Sequence, residues 1–182
     1  YSREYIIEPS HSWDFRDCVG GYIMDSVHNS SLKANFMNNP TCSADGITVD
    51  GNDQYVELDN WEWGGTTSFE IYGKWANSLW WGRLFDFSNG IYNNMVILGR
   101  ENVFSRIAGY VYYGADVSTA NQVVSGDIIE LDKWHHIIMT VQYNGTSETN
   151  LRLYVDGIQV SVTTMAGNTE PPGAGAGVRD GA

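Results

Sequence analysis

Basic residues are scarce in this sequence. Lys and Arg number 10 against 22 Asp and Glu, a formal net charge of −12. A phosphate-binding face needs clustered cations, so the balance argues against nucleic acid as a partner and disfavours anionic membranes. Long apolar runs are missing too. Nowhere do about 18 consecutive apolar residues occur, the length a spanning helix needs, and no membrane insertion is expected. No segment carries an apolar helical period. Proline is limited to 4 and cysteine to 2, and charged residues make up only 18 %. Polarity therefore comes largely from Asn, Ser, Thr and Gly, a composition common among secreted and cell-surface β proteins. The acidity suits a solvated extracellular surface or bound divalent cations. No initiator Met or leader precedes Tyr1, as expected of a processed chain or an excerpt from a longer one.

What is present is alternation. Leu151, Leu153 and Val155 interleave with Arg152, Tyr154 and Asp156, the period-2 pattern of a strand with one buried and one wet face. Asp156-Gly157 predicts a tight hairpin turn, and Ile158 to Val162 resumes the alternation. Upstream, Lys133 to Gln142 reads as the partner strand, joined through a polar hairpin at Tyr143 to Asn150. Phe69 to Trp75 and Trp80 to Phe87 alternate as well, the latter with Phe85 and Phe87 on one face. Further strands are expected at Ser12 to Arg16 (around Trp13 and Phe15), Met95 to Leu98, Ser105 to Tyr113 and Asn121 to Ser125, with a short one possible at Ile128 to Leu131. Ile47 to Val49 and Gln54 to Leu58 read as a hairpin with Val56 and Leu58 on the core face. Asp17 to Asn39 reads as a long ordered excursion. About ten to twelve short strands at roughly 8–12-residue spacing predict an all-β antiparallel β-sandwich. In domain terms, residues 1–11 are a linker or edge strand, 12–166 the sandwich, and 167–182 a Gly/Pro-rich linker or truncated closing segment.

Cys18 and Cys42, if paired, close a loop of roughly 25 residues worth roughly 3 kcal/mol on the chain-entropy model, which suits an oxidising compartment. Asn29-Ser30-Ser31 and Asn144-Gly145-Thr146 fit the N-glycosylation acceptor pattern. Together these features point to a secreted or surface-displayed protein.

Several pieces of the chain, in order, resemble the laminin-G-like, pentraxin and legume-lectin domains that share the concanavalin A-like jelly roll. Asp45-Gly46-Ile47 through Gln54-Tyr55-Val56-Glu57-Leu58 resembles the family's hairpin. Thr67-Ser68-Phe69-Glu70-Ile71 with Trp75 resembles the core strand after it, and Leu84-Phe85-Asp86-Phe87 with Val96-Ile97-Leu98 the central hairpin. Trp134-His135-His136-Ile137 and Leu153-Tyr154-Val155-Asp156-Gly157 form the most recognisable pair. Glu62-Trp63-Gly64-Gly65 is similar to a variant in lectin-like surface proteins of algae and related protists. The resemblance covers Ser12 to Val162. Beyond that point the family runs on to a closing strand, whereas here Pro171-Pro172 and glycine-rich sequence follow; the closing strand is expected either after residue 182 or from a partner.

The resemblance allows glycoside hydrolases, but retaining hydrolysis needs two carboxylates about 5–5.5 Å apart. On this fold they come from alternate positions of one strand, and no strand here offers them. Asp127, Glu130 and Asp132 have mixed spacing and read as a turn. His11 and His28 stand alone, and His135 and His136 point to opposite faces of one strand. No catalysis is expected. Calcium is the cofactor the resemblance implies: Asn93-Asn94 precede Met95-Val96-Ile97-Leu98 where pentraxin-like relatives place ligands, although two turn-forming asparagines fit the same position. Sugar stacking calls for exposed aromatic faces. Trp61 and Trp63, in a loop beside Gly64-Gly65, are candidates, with a cap on the core edge as the other reading. Of Trp80 and Trp81, adjacent on a strand, one must face away from the core, and Trp81 is taken as the third candidate. Tyr110, Tyr112 and Tyr113 read as lining a strand rather than a groove. The expected function is a non-catalytic extracellular module binding glycans or glycoproteins. The alternative is a structural building block that joins neighbouring domains of a filament or matrix, and a glycan-cleaving enzyme is the minor one.

Overall fold

Among the described residues of the computed structural model, every regular element is a strand and every strand pair is antiparallel. Described are residues 8–18, 20–27, 31–61, 66–78, 81–88, 95–102, 104–112, 121–143 and 148–166; for 143, 148, 149 and 164–166 this extends to the backbone alone. Contacts divide the chain into two compact units, with the boundary between Asp59 and Asn60.

In the first unit, β1 (Tyr22–Met24), β2 (Lys33–Met37) and β5 (Tyr55–Leu58) form a sheet in the order β1-β2-β5, while β3 (Thr41–Ser43) and β4 (Gly46–Thr48) form a separate hairpin. Its core is Cys18, Ile23 and Ala34, against which Trp13, Phe15, Phe36, Val56 and Leu58 pack. A disulfide joins Cys18 to Cys42 with their Cα atoms 5.9 Å apart. Three sequence expectations change here. Ser12 to Arg16 is not a strand. The buried carboxylate of Asp25 accepts the backbone N–H of Ser12 (2.9 Å) and pairs with His11 (2.6 Å), and Asp14 turns the chain by accepting the Arg16 N–H. Trp13 and Phe15 thus reach the core from a segment held by side chains. The excursion from Asp17 to Asn39 contains β1 and β2. And β4 and β5 do not pair: β5 lies against β2, and Asp50 closes the loop between β4 and β5 by accepting the N–H of Asn52 and Gln54.

The second unit is the sandwich. One sheet has the order β13-β12-β11-β6, from β6 (Thr67–Gly73), β11 (His135–Tyr143), β12 (Glu148–Val155) and β13 (Ile158–Ala166). The other has the order β10-β9-β8-β7, from β7 (Arg83–Phe87), β8 (Val96–Arg100), β9 (Ile107–Val111) and β10 (Asn121–Val124). Strand alternation sends Ile137, Met139, Val141, Leu151, Leu153 and Val155 of the first sheet onto Val96, Leu98, Ile107, Val111 and Val123 of the second. Each such side chain, fully buried, is worth roughly 1.5–3 kcal/mol relative to exposure. The sheets approach most closely at Gly109, where a Cβ would collide with the sulfur of Met139. The Asp156-Gly157 turn has positive φ at both residues, 51° and 80°, the geometry of a two-residue hairpin between right-twisted strands.

Ile128 to Leu131 is not a strand; Ile128 and Ile129 instead donate to the Ser105 carbonyl, which turns Ile129 into the core. The strand expected from Trp80 begins only at Arg83, and the pairing of β7 with β8 carries a bulge between Arg83 and Phe85. A bulge inserts one residue and resets the alternation. Leu84 and Phe85 both pack on the core, and Arg83 is left on the opposite face together with Asp86.

Candidate functional site

The sheet β10-β9-β8-β7 has a second face, turned away from the core. Register places Asp86, Ile97, Tyr110 and Gln122 in one cross-strand row on that face, with Arg83, Gly99, Ala108 and Val124 in the next. Gly99 and Ala108 keep the second row low. A Cβ at residue 99 would meet the Gly82 carbonyl oxygen and the Arg83 Cα at 2.9 Å, so the chain leading into β7 folds over the sheet there. It is fastened by the Gly82 carbonyl, which accepts the N–H of Arg100 (3.0 Å) and the indole N–H of Trp75 (3.2 Å).

This close pass sets the position of Trp81. Its φ of 55° is left-handed backbone, so it sits in a turn ahead of β7 and not on a strand as expected. The indole remains 40 % exposed. Its ring lies 5.8 Å from that of Tyr110, and Tyr110 lies 6.2 Å from Tyr112 at an interplanar angle of 24°. The three aromatics form a continuous row along one sheet face, beside the exposed Gln122. Tyr110 and Tyr112 line β9 and its end, as expected, and they also stand in one row with Trp81, an alignment the sequence alone does not show. What the sequence does carry is their i, i+2 spacing, out of phase with the core residues Val111 and Ile107. Burial, with Glu101 and Tyr112 nearby, pushes the Tyr110 phenol up to about 12, so at neutral pH it keeps its proton and can donate a hydrogen bond.

Beside the aromatics stands an ion pair, Arg83 Nη1 with Asp86 Oδ2. The Asp86 side chain is 8 % exposed and that of Arg83 37 %. Burial holds the Asp86 carboxyl above the usual carboxylate range, against the pull of Arg83 and the Ser88 hydroxyl. Among the described residues its buried Oδ1 has no hydrogen-bond partner, a costly arrangement for a carboxylate oxygen. Arg100, by contrast, is structural. Its buried guanidinium donates to the carbonyls of Phe104 and Asn77, tying loop ends together.

The other candidates fall elsewhere. Trp61 packs edge-on against Phe87, with centroids 5.2 Å apart at 81°, which agrees with a cap on the core edge. Trp63, Asn93, Asn94, Asn29, Asn144 and Tyr113 lie outside the described residues. Among the described residues, no group of three or more His, Cys, Asp or Glu is arranged to hold a metal ion. His135 and His136 do face opposite sides of β11. His135 is buried against Asp156 at 2.9 Å, and His136 pairs outward with Glu70 at 2.7 Å. On that outer face Tyr72 stacks on Trp134 at 5.0 Å and Lys74 lies over the indole.

A laminin G-type family model, described as the Concanavalin A-like lectin/glucanases superfamily, matches residues 50–181. The match begins later than Ser12 and extends past Val162, so the segment after the Asp156-Gly157 hairpin falls within it. Neither the curated proteins nor the solved structures give a match.

Proposed function

The chain belongs to the concanavalin A-like lectin/glucanase superfamily, and from that premise we propose that it is a non-catalytic carbohydrate-binding adhesion module of a secreted or surface-displayed protein. The observation that carries the reading is the Trp81–Tyr110–Tyr112 row on the outward face of the β7–β10 sheet. Aromatic rings in series offer flat apolar surfaces for the C–H faces of sugar rings, while the neighbouring Arg83, Tyr110 hydroxyl and Gln122 amide can bond hydroxyls. The disulfide supports an oxidising compartment. Retention on immobilised polysaccharides, lost in Trp81→Ala and in Tyr110→Ala at unchanged melting temperature, tests the reading.

Catalysis is not proposed. On β7 the residue that shares the outward face with Asp86 is Arg83, and Ser88 follows the strand end, so the strand supplies no second carboxylate for a retaining pair. Calcium at Asn93-Asn94 stays a proposal resting on the family resemblance. Its check is a rise in melting temperature on adding calcium to chelator-treated protein, absent in the Asn93→Ala, Asn94→Ala variant. A second reading, a building block that joins neighbours, draws on β13. Among the described residues it pairs with β12 alone, and it exposes Ile158 and Val162, features of an edge open to strand addition.

A further inference from the structure

We propose that Arg83 and Asp86 act together as a charge filter on the aromatic face: Arg83 supplies hydrogen-bond donors to the ligand, and Asp86 cancels its charge, so that the face selects uncharged glycans over carboxylated or sulfated ones. The inference rests on the reading of that face as the binding surface and adds which sugars it accepts.

The bulge in β7 is the structural origin. Without it, Arg83 would alternate onto the same side as Phe85 and Phe87 and point into the core. With it, Arg83 shares the outward face with Asp86 and stands two residues from Trp81. The pairing with Asp86 engages Nη1. The Nε and Nη2 edge has no other partner among the described residues, on a side chain that is 37 % exposed. That edge is a planar fork of donors. A lone exposed guanidinium would favour a carboxylate or sulfate, because bidentate charge-assisted bonds are the strong ones. Here the fork's charge is matched by a carboxylate whose side chain is more than nine-tenths buried and cannot swing away. Glu101 adds negative potential at Tyr110, the next member of the row. The chain as a whole carries −12. Donors without net positive charge suit hydroxyl oxygens; an anionic sugar gains the same bonds but meets uncompensated negative charge.

The test uses four neutral polysaccharides, a β-glucan, a mannan, a dextran and a soluble cellulose ether, each beside its carboxymethylated form, with affinity electrophoresis as the readout. The wild-type chain is expected to bind at least one neutral polymer about tenfold or more tightly than its carboxymethylated counterpart. Asp86→Asn should remove most of that preference by raising affinity for the charged form, a gain that loss of structure cannot produce. Arg83→Gln should weaken neutral binding about tenfold without admitting the charged polymer, and it serves if Asp86→Asn does not fold. Equal binding of both forms by the wild type overturns the filter, as does unchanged selectivity in folded Asp86→Asn or unchanged affinity in Arg83→Gln. Binding to no polymer in either form removes the reading of the face itself, and the filter with it.

Discussion

Asp156, in the turn between β12 and β13, holds the buried imidazole of His135 at the start of β11. Oδ2 lies 2.9 Å from His135 Nδ1, and Oδ1 accepts the backbone N–H of His136 at 2.9 Å. His135 Nε2 accepts the N–H of Glu130 at 3.3 Å, so the proton is assigned to Nδ1, which donates to the carboxylate. The two most recognisable segments of the sequence, Trp134 to Ile137 and Leu153 to Gly157, are thus one structural device. Asp156→Asn keeps the left-handed turn residue but places an amide against His135. It should cost about 1–3 kcal/mol at neutral pH, read from denaturant unfolding. These bonds, the His136 N–H first, lower the Asp156 pKa. Its stabilisation is therefore full above the unfolded carboxylate range and is lost as pH falls through the lower folded value. The gap between wild type and variant should close on acidification, and a gap that widens would contradict the assignment.

Gly109 and Met139 mark where the sheets touch. Gly109→Ala should destabilise by about 1–3 kcal/mol through overpacking, and Met139→Ala by about 2–5 kcal/mol through the cavity left behind. The double variant should cost less than the two summed, because the new methyl occupies space the thioether has left. Strict additivity in a double-mutant cycle would mean that the two residues do not meet across the core.

Asp86 makes the opposite pH prediction to Asp156. Burial raises its folded pKa, so its contribution is fully present below the unfolded carboxylate pKa and declines as pH rises through the folded value. Asp86→Asn does not titrate. Its melting temperature relative to wild type should rise between acidic and neutral pH, and a relative fall over that interval would show that the pair with Arg83 outweighs desolvation.

Alternation made most of the second unit legible. Phe69 and Ile71, the β11 series Ile137–Met139–Val141 and the β12 series Leu151–Leu153–Val155 all point as period 2 requires, because β11 pairs in unbroken register with both β6 and β12, and the register shift at Leu153/Tyr154 falls in the pairing of β12 with β13. What escaped the sequence was set by partners distant along the chain. The bulge that turns Arg83 outward exists only through pairing with β8. The position of Trp81 depends on Gly99 leaving room for the Gly82 backbone. Trp13 and Phe15 reach a core without a strand because Asp25 supplies the bonds a neighbouring strand would have made. Tyr110 and Tyr112 were visible as alternating residues, but their alignment with Trp81 comes from a turn two strands away.

The most direct measurement of the central claim is binding of the wild-type chain and of Trp81→Ala to a neutral polysaccharide panel, with thermal unfolding of both proteins in parallel. Removing a stacking indole should reduce affinity for the bound glycan about tenfold or more while leaving the melting temperature within a few degrees, since the ring is 40 % exposed and stands outside the core cluster. Undiminished binding by a folded Trp81→Ala protein would contradict the account and move the binding surface off this face of the sandwich.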